Sequence, residues 1–105
     1  MAFKNTPHKG QVRNVIFKDG AAFYGAALEF NIVEVADSPQ EAILLLDEAM
    51  KGYVEAAGKY KLSIAVLNQS VDPEYLALWN AGRKGTATAG RQVYSTSSQS
   101  IAALA

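Results

Sequence analysis

The amino-acid sequence predicts an α+β domain in which a three-stranded antiparallel sheet is packed by one amphipathic helix. Two observations carry this. Between Val12 and Ala36 three β-rich runs are joined by turn residues, and directly after them an apolar pattern of helical period begins at a sharp capping signal. With 105 residues, half of them hydrophobic, the chain suffices for one domain and its core but not for two.

The first run alternates Val12, Asn14 and Ile16 with Arg13, Val15 and Phe17, and ends at Asp19-Gly20, a strong hairpin signal because glycine accepts positive φ. The second, Ala21 to Phe30, places Phe23, Gly25, Ala27 and Glu29 on one face and Ala22, Tyr24, Ala26, Leu28 and Phe30 on the other. The second face is the more apolar and is expected to meet the helix. Asn31 suits a turn, and Ile32 to Ala36 makes a third strand. Short connections favour antiparallel neighbours.

Ser38, Pro39 and Glu41 then supply a cap, a residue suited to the first helical position and the end of a Ser-x-x-Glu capping box. Ala42, Ile43, Leu46, Ala49, Met50, Tyr53 and Val54 recur at spacings of three and four, and Gly58 ends the helix. Gly52 interrupts it at a cost of about 1 kcal/mol relative to alanine and leaves room for close approach of another chain or strand.

Residues 62–67 read as an extended connector with a possible short strand. Asp72-Pro73-Glu74 repeats the start chemistry, and Tyr75, Leu76, Leu78 and Trp79 precede Gly82, which predicts a short C-terminal helix. Residues 1–10, polar and aperiodic, read as a flexible lead; 11–82 form the domain; 83–105, rich in Gly, Ala, Ser and Thr, read as a mobile tail.

Formal net charge is zero but unevenly spread. Seven acids from Glu29 to Glu55 face only Lys51, whereas Lys4, Lys9, Arg13 and Lys18 before them and Lys59, Lys61, Arg83, Lys84 and Arg91 after them leave both ends basic. The acids describe either a solvated face or a surface that docks a basic partner. No apolar run reaches the length of a membrane span, and the first ten residues hold no signal-like segment, so a cytoplasmic protein is expected. Cysteine is absent, which excludes disulfides and thiolate chemistry.

The segments Val15-Ile16-Phe17-Lys18-Asp19-Gly20, Phe23 to Ile32 and Asp37-Ser38-Pro39-Gln40-Glu41-Ala42 together resemble the HicB-like antitoxin domain, a β-β-β-α unit of partial RNase H-like fold, over about residues 12–57. Tyr53 stands where that family's helix ends near a tyrosine. Ala36 replaces the glycine common before the cap. The resemblance implies a non-enzymatic antitoxin without cofactor, usually oligomeric, that occludes a small basic RNA-cleaving toxin of HicA type. Residues 83–105 show neither a helix-turn-helix nor a ribbon-helix-helix pattern, so DNA binding is not expected.

For charge complementarity to such a partner the candidates are Glu34, Asp37, Asp47, Glu48 and Glu55. An open sheet edge and a thinly covered face favour homo-oligomerisation, with Tyr75, Leu76 and Trp79 as candidate anchors. Alternatives are a nucleic-acid binder using the basic ends, a catalytically inert homo-oligomeric module, and a hydrolase of RNase H-like descent. Hydrolase chemistry needs carboxylates converging on divalent ions. Of the candidates Asp19, Glu29, Glu34, Asp37, Glu41 and Glu48, Asp19 is claimed by a turn and Glu41 by the cap, while Glu29 and Glu34 lie on different strands with no motif linking them. His8 has no nucleophile or orienting acid beside it, and the glycines form no phosphate loop.

Overall fold

The computed structural model describes residues 4–85 and 91–104. Strands β1 (Gln11–Asp19), β2 (Ala22–Ala27) and β3 (Ile32–Ala36) lead into helix α1 (Pro39–Lys59). A 3₁₀ turn (Ile64–Leu67), helix α2 (Pro73–Lys84), strand β4 (Gln92–Ser100) and a final helical turn α3 (Ile101–Leu104) complete the chain.

The α+β class holds, but the sheet has four antiparallel strands in the order β3-β2-β1-β4, not three. The fourth strand comes from the segment expected to be a mobile tail. Its sequence, QVYSTSSQS, carries few large apolar groups, yet it pairs with β1 from Gln11↔Ser100 to Lys18↔Gln92. A register shift between Ile16 and Phe17 accommodates Tyr94 as the extra residue of a bulge.

Local chemistry sets the other elements. Asp19↔Ala22 pairing leaves a two-residue loop whose first member, Gly20, has φ 66°, the sign that a type II′ hairpin turn demands there. Asn31 takes φ 57° in the loop before β3. Ser38 Oγ accepts from the Glu41 N–H at 3.1 Å, and Pro39 opens α1. Residues 64–67, expected as a connector or strand, are instead a 3₁₀ turn capped by Ser63, whose Oγ accepts from the Ala65 N–H. Asp72 caps α2 by accepting from the Glu74 N–H, and Gly85 closes it in the left-handed region.

Helices cover both sides of the sheet. On one side Val12, Ile16, Ala27 and Phe30 pack against Ala42, Leu46, Met50 and Val54 of α1, with Ile101 and Leu104. On the other, Val15, Phe17, Ala26 and Leu28 pack with Leu78 of α2. Each fully buried Leu or Met contributes about 1.5–3 kcal/mol. The expected facing is therefore reversed for β2. The Phe23, Gly25, Ala27 face meets α1, and the Tyr24, Ala26, Leu28 face meets α2.

Gly25 explains the reversal: a Cβ there would lie 3.2 Å from the Ala42 carbonyl oxygen and 3.3 Å from Leu46 Cβ. The missing side chain lets α1 settle close to the sheet.

The described part of the lead is tied down at Asn5. Asn5 is buried, its Nδ2 donates to the Leu67 carbonyl at 2.8 Å and its Oδ1 accepts from the Gln11 N–H at 2.9 Å. Asn68 returns the contact, donating to the Asn5 carbonyl and accepting from the Asn5 N–H, both at 2.9 Å.

Candidate docking groove

The two helices do not cover matching halves of the sheet. α1 lies mainly over β2 and β3, whereas α2 lies over β1 and β4. One half-face therefore stays open on each side. Beside α1 the open half is floored by β1 and β4 and forms a groove of about 460 Å³.

The floor of this groove is polar. Asn14 on β1 pairs in register with Ser97, between Ile16↔Ser95 and Val12↔Gln99, so all of these side chains point to the α1 side. Asn14 is only 4% exposed, and its Nδ2 lies 3.5 Å from Ser97 Oγ, the outer limit of a hydrogen bond. Among the described residues its Oδ1 has no partner, and neither has the buried Gln99 Oε1. The wall is amphipathic. Ile43 and Leu44 of α1 are 44% and 57% exposed, Met50 lies deeper, and Asp47 borders the opening with its carboxylate 3.0 Å from Lys51 Nζ.

A larger cleft of about 780 Å³ runs along Lys4, Gln11, Arg13, Glu29 and Asn68. Most of its polar groups satisfy one another. Glu29 accepts from both the Arg13 N–H and Arg13 Nε at 2.7 Å, and Asn5 and Asn68 are clasped together. The α1–β4 groove is the one with acceptors left over.

The candidate acids are spread around the fold. Asp47 alone borders the groove. Glu48 and Glu55 are exposed two turns apart on the outer face of α1, where Leu44 and Glu41 join them. Glu34 pairs with Gly25 on edge strand β3, and Asp37 lies exposed at the β3–α1 turn, both at the opposite edge of the sheet from β4. Among the described residues no cluster of three or more His, Asp or Glu side chains is placed to hold a metal ion.

Tyr75, Leu76 and Trp79 are half-buried against the α2 side of the sheet. Tyr75 stands 6.0 Å from the Phe17 ring, and the Trp79 ring lies near the Arg13 and Arg83 guanidinium groups, at 5.3 and 4.9 Å. Burial raises the Tyr75 pKa, helped by the nearby Glu74 and Asp72 carboxylates. Of the basic ends, Arg13 is paired with Glu29, and Arg91 with Asp19 at 3.1 Å and with Glu74.

Asn14 and Gln99 did not stand out in the sequence. The only signal was an amide inside an apolar strand, and its neighbours lie on β4, which has no apolar pattern.

Fold and groove together define a small two-sided α+β domain with a polar-floored groove, and among the described residues no helix is long and apolar enough to cross a membrane. The chain matches no protein-family model, no curated protein and no solved structure among those compared.

Proposed function

We propose that this chain is a non-enzymatic binding domain of HicB-like antitoxin type, which occludes a small basic RNA-cleaving partner. The observation that carries the reading is the groove itself. Two buried acceptors without donors among the described residues share this groove with Asp47 of α1. Leftover acceptors favour a donor-rich, positively charged ligand, and the exposed Ile43 and Leu44 add apolar area for a protein surface. Basic proteins are steered toward such a face by its charge.

The test is purification of the tagged chain from its own cells, followed by reconstitution with any small basic protein that accompanies it in stoichiometric amount. The triple variant D47K/E48K/E55K is then expected to weaken binding at least about tenfold, with the far-ultraviolet dichroism unchanged. Equal affinity in the triple variant overturns the reading.

A homo-oligomeric module is the second reading, favoured by one feature. Val35 is 56% exposed on edge strand β3, near Tyr24 and Val33 on the half-face that α2 leaves open. Light scattering of the parent chain and of V35E tests this module reading. An oligomer that V35E dissociates supports the module, and a monomer in both removes it.

A further inference from the structure

We infer that the α1–β4 groove is an arginine-binding pocket, which receives one guanidinium side chain from a protein partner. This deepens the occlusion reading and rests on it.

The chemistry of the unpaired atoms selects the ligand. Asn14 Oδ1 and Gln99 Oε1 are both acceptors, both shielded from solvent, and both without a donor among the described residues. A buried acceptor left unpaired costs stability, so its retention in a strand of Val and Ile needs an external donor to offset it. Asp47 adds a carboxylate at the rim. Its contact with Lys51 is an i,i+4 pair between an exposed lysine and a half-buried carboxylate, worth only a few tenths of a kcal/mol, and is readily exchanged for a stronger partner.

Guanidinium fits this set better than ammonium. Its five N–H groups, held in one plane, can donate to several acceptors at once, whereas an ammonium is a compact, strongly hydrated point charge. The aliphatic stem of arginine would lie along Ile43 and Met50, the apolar wall. A neutral amide ligand would satisfy the two acceptors but gain nothing from Asp47.

The test uses nuclear magnetic resonance on the full-length, isotope-labelled chain titrated with acetyl-Gly-Arg-Gly-amide, and with the same peptide carrying citrulline in place of arginine. Saturable shifts at the Asn14 and Gln99 side-chain amides are expected for arginine, with citrulline weaker on the order of tenfold. D47N, a rim change that leaves the core intact, is expected to weaken the arginine peptide by a similar factor. N14L is expected to abolish binding while melting no lower than the parent, because it removes an unpaired buried polar atom. That combination of lost binding and retained stability is not what a purely structural Asn14 gives. The absence of saturable shifts, equal response to citrulline, or undiminished binding in D47N overturns the pocket. A basic protein partner that binds the parent and D47N equally, but loses affinity in an E48K/E55K variant, overturns the pocket while leaving occlusion standing.

Discussion

Gly82 of α2 stands directly over Val93 of β4. A Cβ at Gly82 would come within 2.6 Å of Val93 Cγ1 and 2.7 Å of Thr96 Cγ2. Both neighbours are β-branched and stiff about χ1, so neither can swing aside at low cost. The helix lies against the fourth strand because this position has no side chain. G82A is therefore expected to destabilise the fold by about 1–2 kcal/mol, since overpacking outweighs the gain of about 1 kcal/mol in helix propensity. Urea unfolding measures the difference, and an unchanged or higher midpoint would show that α2 and β4 part without cost.

Gly52 gives the opposite expectation from the same substitution. It is exposed in the middle of α1, and an added Cβ would meet nothing within 4 Å. No close approach within this chain needs a glycine there. G52A should raise stability by about 1 kcal/mol through propensity alone. A loss of stability in the isolated chain would mean that the helix is strained at this turn. A gain in stability joined to weaker partner binding would place the partner against Gly52.

Much of the fold was legible because its signals are local. Ser38-Pro39, Asp72-Pro73 and Asp19-Gly20 act within a few residues of themselves, and each element they mark is present. Two features depended on tertiary context. Strand β4 lacks alternation because the α1 side of its floor, Ser95, Ser97 and Gln99, opens into the groove, while on the α2 side only Val93 and Thr96 have an apolar surface to meet. The facing of β2 was misjudged because counting apolar residues gives no weight to Gly25, whose value is closeness rather than hydrophobicity. The candidate site inherits the first difficulty. Asn14 is an isolated amide until β4 is laid beside it.

Asn5 and Asn68 couple the lead to the turn before α2. The Asn68 side chain bonds the Asn5 backbone at both its N–H and its carbonyl, while the Asn5 side chain holds the Leu67 carbonyl and the Gln11 N–H. N5A leaves a buried carbonyl and a partly buried N–H unpaired, an expected loss of about 2–3 kcal/mol. N68A should cost less, because Asn68 is the more exposed partner. The Asn5 backbone that Asn68 holds carries the side chain that reaches Leu67 and Gln11, so the two residues belong to one network and the double variant should lose less than the two single losses added together. Denaturant titration of the four proteins reads this coupling, and strict additivity would show that the clasp does not form in solution.

Tyr75 makes the fold sensitive to alkali. Burial against the sheet, then the Glu74 and Asp72 carboxylates, raise its pKa above the ordinary 10.0, with Tyr24 adding slightly and Arg91 opposing. The neutral phenol is thus favoured in the folded chain relative to the unfolded one. Below pH 10.0 both states hold the proton and its contribution is fully present. As pH rises past that value the unfolded chain ionises first, so stability falls until the folded phenol has also ionised, and then levels. Thermal melts across this window should show a decline that is smaller in Y75F, and the phenolate absorbance that the folded parent gains above the ordinary 10.0 should be reduced in Y75F. An identical alkaline decline in Y75F would assign the sensitivity to other groups.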